Sequence, residues 1–309
     1  MIWLTWRLHR GELAVAITVG VCLAAFVALL TWNIAAAMTG VQAACAGHSS
    51  SGCQLTSMDF NTTFAGFFTP LGAVLLVLPC LAGLFIGAPA IAREFEHGTM
   101  RLAWTQGVTR RRWLITKIAA IIGVTACSAA PIALASSLLI RSQGGTFTSE
   151  WSSFDLQGPV FFSYVVFATA LGIAAGSLVR RVVPAMAVTL VGYVAARLAV
   201  GQLARPNYLP PLESDLSRPG TATGDTWILG QRPVDLYGHS ANQQYAQLMA
   251  NVGAFPGSIG DYLRTHGVIL LQSYQPASRF WPFQSIEALL FLSAAACLVG
   301  VTAWSIRRL

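Results

Sequence analysis

Charged side chains are scarce in this chain. Only 10% of its 309 residues are Asp, Glu, Lys or Arg, whereas 55% are hydrophobic, and the mean hydropathy is +0.60. A soluble domain carries about 25% charged residues, because its surface has to face water. The composition therefore excludes a water-soluble globule, and the abundance of apolar residues excludes a disordered chain.

Motifs that carry chemistry are also missing. Lys117 is the only lysine, and since Thr116 precedes it the chain has no phosphate-binding Gly-Lys-Ser/Thr loop. Neither a zinc-binding H-E-x-x-H nor a nucleophilic G-x-S-x-G motif occurs, and the five histidines are scattered. We therefore expect this chain to have no catalytic residue, no metal site, no bound cofactor and no nucleic-acid partner.

Long stretches without Asp, Glu, Lys, Arg or His are the main positive feature. They run over 13–38, 67–92, 118–140, 156–179 and 288–306, and a sixth over 182–204 is interrupted only by Arg197. Each is long enough to cross a bilayer as a helix, and backbone groups in lipid must bond within the segment. The sequence thus predicts an all-α integral membrane protein with six transmembrane helices.

The basic residues indicate how these spans are oriented. Twelve of the 19 lie at the two chain ends, between spans two and three, and between spans four and five. They are Arg7, Arg10, Arg93, Arg101, Arg110, Arg111, Arg112, Lys117, Arg180, Arg181, Arg307 and Arg308. Because cytoplasmic loops are enriched in Lys and Arg, both termini are predicted to be cytoplasmic. The first apolar run is too long for a cleaved signal peptide.

This topology divides the chain into three regions. Residues 1–204 hold spans one to five and a cytoplasmic segment at 93–117, residues 205–281 form an extracellular insertion, and residues 282–309 hold span six and a cytoplasmic tail. Within the insertion, residues 242–250 and 261–271 show modest helical patterns. We expect a small subdomain that leans on the membrane part or on a second copy.

Cys45 and Cys53 lie in the outer segment 39–66. The predicted topology places this pair in an oxidising compartment, so a disulfide between them is one interpretation. Two free cysteines in a mobile loop are the alternative, and a metal site with His48 is a weaker one. The other four cysteines fall inside spans, where a thiol serves as a small apolar side chain.

Arg197 and Glu287 are expected at the same depth, close to the outer interface. Arg197 stands sixteen residues after Arg181, which places it about 24 Å along a helix. Glu287 begins the last span. The two side chains either form an ion pair that joins spans five and six or extend separately to water.

The segment 93–117 is too patterned for a plain connector. Acidic residues open it, a Gly-Thr turn follows, and a short apolar group leads to three arginines and Trp113. A positively charged anchor with an interfacial tryptophan explains the arginines, but not acidic and apolar residues at the cytoplasmic surface. The segment therefore predicts a docking surface for a soluble partner.

This segment resembles the coupling helix in the permease subunits of type-2 ABC exporters, of a branch common in actinobacteria. The matching residues are Glu94, Gly98, Thr99, Leu102, Arg110 and Lys117, with Trp113 beside them. The N-terminal segment resembles the amphipathic elbow helix of that branch, with Trp3, Trp6 and Arg7 at the interface. A further signature of the branch is similar to 274–287, at Tyr274, Pro276, Arg279, Trp281, Gln284 and Glu287.

The resemblance implies a permease of an ATP-binding cassette transporter in a bacterial plasma membrane. Two permease copies, or one copy and a homologous permease, would enclose a path for export, and two cytoplasmic ATPase subunits would use ATP and Mg²⁺. The ATPase contacts would be Glu94, Glu96, Gly98, Thr99, Met100, Arg101, Leu102 and Trp104. The uncharged spans suit a hydrophobic, lipid-like or drug-like cargo. A secondary transporter, an outer-surface enzyme and a sensory or scaffold protein of the same fold are the alternatives.

Overall fold

The structure is a computed structural model that describes most of the chain. The described residues are 2–46, 50–98, 110–142, 150–216, 225–251 and 259–307. Within them, six helical segments are long and apolar enough to cross a membrane: Ile17–Ala46, Gly66–Glu96, Leu114–Ser142, Gly158–Val179, Val182–Asn207 and Ala277–Ile306. The prediction of a mostly helical membrane protein with six spans is confirmed.

The helices of the membrane part make up most of its described residues, and the last of them follows the insertion. They are α1 (Ile2–Ala46), α2 (Ser50–Ala82), α3 (Ala88–Glu96), α4 (Arg110–Ser142), α5 (Gly158–Val179), α6 (Val182–Ala199) and α9 (Phe280–Arg307). A π-helical turn, Gly83–Gly87, joins α2 to α3. A second π turn, Val200–Ala204, and a 3-10 turn, Arg205–Asn207, extend α6.

The first helix differs from expectation at both of its ends. Ile2–Ala46 is one continuous helix, so the predicted elbow does not form a separate helix. Residues 2–13 contain no proline, and Gly11 alone does not interrupt them. The outer segment 39–66 is helical up to Ala46 and again from Ser50, which fits its alanine content before residue 47.

The insertion between spans five and six contains a small antiparallel sheet, which the all-α prediction did not include. Its strands are β1 (Leu212–Asp215), β2 (Trp227–Asp235) and β3 (Val268–Gln275), in the order β1-β3-β2. Two short helices, α7 (Asn242–Ala250) and α8 (Ile259–Thr265), lie in sequence between β2 and β3.

Only half of the helical pattern predicted over 261–271 is helical. Helix α8 ends at Thr265, and Gly267 has a φ of +74°, a backbone conformation that only glycine adopts readily. Val268 then begins β3, where Leu271 pairs with Asp215 on one side and Arg232 on the other. The helical prediction for 266–271 was therefore wrong, because a glycine ends the helix and an apolar run suited to a buried strand follows.

Helix α5 lies at the centre of the membrane part. In its apolar window 78% of the residues are buried, against 17–39% in the other five spans. It packs closely on the first π turn through small residues. A Cβ on Gly87 would lie 2.6 Å from the Thr169 carbonyl oxygen, and one on Gly176 would lie 2.5 Å from that of Ala88. Such close packing of small residues is how helices associate in lipid.

Two ends of the bundle are used below as reference points. The sheet end is where α5 and α9 begin and the three-stranded sheet packs. The α3 end is where α3 ends and α4 and α6 begin.

Candidate functional site

The predicted partner-docking segment starts at the α3 end. The backbone N–H of His97 donates to the Arg93 carbonyl oxygen at 2.9 Å, and Gly98 has a φ of +68°. Helix α3 therefore ends in a turn at the glycine that the sequence singled out. The remaining predicted contact residues lie outside the described residues: Thr99, Met100, Arg101, Leu102 and Trp104.

Glu94 forms an ion pair with Lys117 across α3 and α4. The Lys117 side chain is only 2% exposed and that of Glu94 is 19% exposed. Lysine is rarely buried unless its charge is paired, so this contact explains why the single lysine can lie within a span. Within the chain, the Glu94 carboxylate joins the two helices that flank the docking segment, and its contact with an ATPase stays a prediction.

Glu96 joins the end of α3 to the start of α6. Its Oε2 accepts a hydrogen bond from the Val182 backbone N–H at 3.1 Å. Arg181, the N-cap residue of α6, supplies no side-chain cap of its own. A carboxylate at this place satisfies a free N–H and faces the positive end of the helix dipole. Nearby, the Arg180 guanidinium carbon lies 5.3 Å from the centroid of the Phe95 ring.

Four charged side chains meet at the sheet end and form what we call the charged cluster: Asp155, Arg197, Arg205 and Glu287. Arg205 binds Glu287 through two nitrogens, with Nε–Oε2 and Nη2–Oε1 distances of 2.8 Å. Its Nη2 also lies 2.5 Å from Asp155 Oδ1. Arg197 Nη2 lies 2.9 Å from Asp155 Oδ2, and its Nη1 lies 3.5 Å from Glu287 Oε1. The cluster therefore links α6, α9 and the connection between α4 and α5.

Hydroxyl groups and rings complete the charged cluster. Tyr164 of α5 donates to Glu287 and, at 3.1 Å, to Asp155, while Tyr208 donates to Glu287 at 3.3 Å. The Arg197 guanidinium carbon lies 3.7 Å from the Tyr164 ring centroid. Glu287 is fully buried, and the two arginine side chains are each 12% exposed. A buried carboxylate with this many donors can keep its charge away from water.

The second π turn explains why both arginines face Glu287. In a regular α-helix, side chains eight residues apart point about 80° away from each other. A π turn inserts one extra residue, so Arg197 and Arg205 behave as if seven residues apart and differ by about 20°. The turn at Val200–Ala204 thus aims the two guanidinium groups at one side of the helix.

Electrostatics favour the ionised form of the cluster. Burial by itself would raise the pKa of Asp155, but the adjacent Arg205 and Arg197 lower it more strongly, so that the pKa lies below its ordinary value. Burial, together with the Glu287 charge, raises the pKa of Tyr208. Two positive and two negative groups neutralise each other. The arrangement therefore suits a strong link between helices better than a site for a charged ligand.

The stretch 274–287 holds the connections next to the cluster. Gln275 donates to the Leu209 carbonyl oxygen at 2.9 Å, and Arg279 donates to that of Pro210 at 2.6 Å. Gln284 donates to the Phe154 carbonyl oxygen at 2.7 Å and accepts from the Val160 N–H at 3.2 Å. These polar side chains give partners to backbone groups in connections and in the first turn of α5.

Aromatic rings attach the sheet to the membrane part. Trp151 stacks on Trp227 of β2 at a centroid distance of 5.4 Å and meets Phe280 and Phe283 of α9 edge to face at 5.5 and 5.3 Å. Aromatic pairs in these geometries stabilise each other beyond their buried area. The sheet therefore leans on α9, as expected for an insertion too small to fold alone.

Only one of the two cysteines of the predicted disulfide has a described side chain. Cys45 is disulfide-bonded in the structure. The side chain of Cys53, its expected partner, lies outside the part that is described, so the pairing stays a prediction. Cys22, Cys80, Cys127 and Cys297 are free thiols. Among the described residues no group of three or more His, Cys, Asp or Glu side chains could hold a metal ion.

The charged cluster contains more than the sequence indicated. Arg197 and Glu287 approach each other at 3.5 Å, but Arg205 makes the shorter contacts with Glu287 and was not foreseen. Asp155 was not among the predicted site residues, and it binds both arginines. The available signal was the position of Arg205 directly after the apolar run 182–204, at the same end of the bundle.

Comparison with known proteins adds one family. A family model described as "ABC-2 membrane transporter related" matches residues 16–205, more than half of the chain. The matched range includes spans one to five, the docking segment and three of the four cluster residues, but neither Glu287 nor the sheet. No significant match exists to a curated protein or to a solved structure.

Proposed function

The chain belongs to the family of ABC-2 membrane transporter related proteins, and from this premise we propose that it is the membrane-spanning permease of an ATP-driven exporter. The family makes it a transporter permease, and its six spans make it a multi-pass membrane protein. The observation that carries the proposal is the family match over the first five spans and the docking segment. Export, the ATPase, the cargo and the actinobacterial branch are the finer parts of the proposal.

Sidedness follows from the distribution of charge. Arg93, Arg180 and Arg181 are exposed at the α3 end, which we therefore assign to the cytoplasm. Six crossings then return both termini to that side. The sheet and the charged cluster would face the outside of a bacterial plasma membrane, where the compartment also permits the Cys45 disulfide.

A separate ATPase would dock at the segment between α3 and α4, since this chain has no phosphate-binding loop of its own. The pair Glu94–Lys117 ties together the two helices that flank the segment. A displacement of the docked ATPase would therefore move α3 and α4 as one unit. Direct contacts with the ATPase would come from Glu94, Glu96 and residues 98–104.

The cargo and the assembly are inferred from the spans. Charged side chains are few in the described spans, and the innermost ones, Arg197 and Glu287, are paired with each other and with Arg205. A path with so little free charge suits a hydrophobic, lipid-like or drug-like molecule. Two permease copies, or this chain and a homologous permease, would enclose that path. Two ATPase subunits would dock beneath them.

Co-purification tests the docking step. Replacing Met100 and Trp104 by alanine should abolish co-purification with the ATPase and leave the amount of permease in the membrane unchanged, because these apolar side chains would fill a groove of the partner. The variant spares Glu94, whose ion pair serves the fold. Trp281→Ala, a partly exposed tryptophan at the sheet end, is the matched control and should retain the ATPase. Unchanged capture by the double variant would contradict the docking site.

Reconstitution tests the activity itself. Vesicles that contain this chain and its ATPase should move a fluorescent lipid analogue only when ATP and Mg²⁺ are added on the ATPase side. Movement by the purified chain alone, without any ATPase, would overturn the proposal in favour of a secondary transporter.

A further inference from the structure

We infer that α6 is a rigid helix that transmits movement between the α3 end and the charged cluster. Glu96 is the positioning residue at the cytoplasmic start of this helix. The inference deepens the transport function proposed above and rests on it for its purpose. It predicts that the two ends respond to each other. The argument starts from how α6 is held.

Two contacts fix the start of α6 to α3, and a third holds the connection just before it. Glu96 caps the Val182 N–H at 3.1 Å, and Arg180, the C-cap residue of α5, covers the Phe95 ring. Ala185 of α6 is fully buried in a cluster with Ala88 and Ala92 of α3, both also fully buried. Small side chains in such a seam bring the two backbones close together. A shift of α3 therefore moves the first turns of α6 with it.

The middle of α6 packs on α5 along one face and is exposed on the other. Thr189 is fully buried, the Tyr193 ring centroid lies 6.4 Å from that of Phe167, and Val191 on the other face is 68% exposed. Helix α6 is thus held along one face as well as at its two ends, and an α-helix of 18 residues is a stiff element about 27 Å long. Such a helix passes rotation and translation along its length with little loss.

The far end of α6 responds to rotation. The π turn at Val200–Ala204 places Arg197 and Arg205 on one side, where both reach Glu287. Glu287 is fully buried in this arrangement. A turn of α6 about its axis would move both arginines together, so the cluster holds one rotational position of the helix and opposes others. Events at the α3 end can therefore release or restore the link between α6 and α9.

Hydrogen exchange on the purified chain tests the coupling without an ATPase or a cargo. Glu96→Ala should speed amide exchange in Val182–Met186 and, at the opposite end, in the π turn and the residues up to Asn207. The expected acceleration is about fivefold, the size typical of the loss of one helix cap. Glu213→Ala, which removes the exposed partner of Arg232 in the sheet, is the control and should change neither region.

A substitution in the charged cluster tests the same coupling in the opposite direction. Arg205→Lys loses the two-pronged contact with Glu287 and should speed exchange at Val182–Met186, because coupling between two sites acts equally in both directions. Acceleration confined to the mutated end in either variant, or none at the Glu96 end, overturns the inference. A positive result stands even if transport is never observed, and failed transport leaves this test unaffected.

Discussion

The two ends of the bundle stabilise their charges in different ways. At the sheet end, Asp155, Arg197, Arg205 and Glu287 share partners from three separate parts of the chain and are largely shielded from water. At the α3 end, Glu94 contacts Lys117, and the exposed Glu96 accepts one backbone N–H. The sheet end is therefore a multiply bonded link, whereas the α3 end combines one largely buried ion pair with an exposed helix cap.

This difference fits the roles proposed for the two ends. A surface that must bind and follow a partner needs contacts that form and break at low cost, and exposed hydrogen bonds meet that need. A link that closes the outer side of a path must resist opening until enough force is applied, and buried ion pairs with several donors provide that resistance. Four substitutions test whether the contrast is as large as the geometry indicates.

The largest effect is expected at Glu287. Glu287→Ala leaves Arg205 and Arg197 buried with too few acceptors, which should lower the free energy of unfolding by about 3–5 kcal/mol. Unfolding in detergent, followed by tryptophan fluorescence, measures this. Glu213→Ala breaks the ion pair with Arg232, whose side chains are 45% and 58% exposed, and should cost less than about 1 kcal/mol. Equal losses in the two variants would contradict the contrast.

Deleting Gly201 should have the next largest effect. The deletion converts the π turn into a regular helical turn and rotates Arg205 by about 100° away from Glu287. We expect a loss of about 2–3 kcal/mol, close to that of Arg205→Ala, because both changes remove the same charged hydrogen bonds. In the Arg205→Ala background, deletion of Gly201 should then add less than about 0.5 kcal/mol. Full additivity would show that the π turn does not serve the cluster.

The spans could be predicted from the sequence because they depend on local composition alone. An apolar run of about 20 residues has few solutions other than a helix across lipid, and each of the six predicted runs overlaps one of the six spans, although the first span ends later and the last begins earlier than predicted. The sheet could not be predicted in the same way. Its strand β3 pairs with β1, more than 50 residues earlier in the chain, and such pairing leaves little local signal.

The charged cluster shows the same limit at the level of side chains. The positions of Arg197 and Glu287 along their helices predicted that both lie at the same end of the bundle, and their separation of 3.5 Å confirms this. The π turn brings Arg205 into the charged cluster. It depends on how α6 packs, and the sequence of Val200–Ala204 contains no signal that predicts it. Asp155 was missed because a carboxylate in a connection is usually solvated, and only the folded chain shows which arginines cover it.

A smaller effect is expected at the α3 end. Lys117→Met removes the charge that neutralises Glu94 and should lower the free energy of unfolding by about 1–2 kcal/mol, since Glu94 remains 19% exposed and can reach water. Adding Glu94→Gln should recover most of this loss, because the unpaired charge is then removed as well. Thermal unfolding of the two single variants and the double variant measures the pair. A double variant less stable than both singles would contradict a simple ion pair.

The smallest effect is expected in the acid dependence of Asp155. Its pKa lies below the ordinary value of 3.8, mainly because Arg205 and Arg197 outweigh the effect of burial. A carboxyl with a lowered pKa in the folded state contributes stability above its unfolded pKa and loses it as the pH falls through the folded value. The unfolding midpoint of the natural chain should therefore fall more steeply between about pH 5 and pH 3 than that of Asp155→Asn. Glu213→Gln controls for the loss of a carboxyl elsewhere and should keep the slope of the natural chain. Parallel curves for Asp155→Asn and the natural chain would mean that the arginines do not depend on this carboxylate, and the cluster would then reduce to the contacts of Glu287.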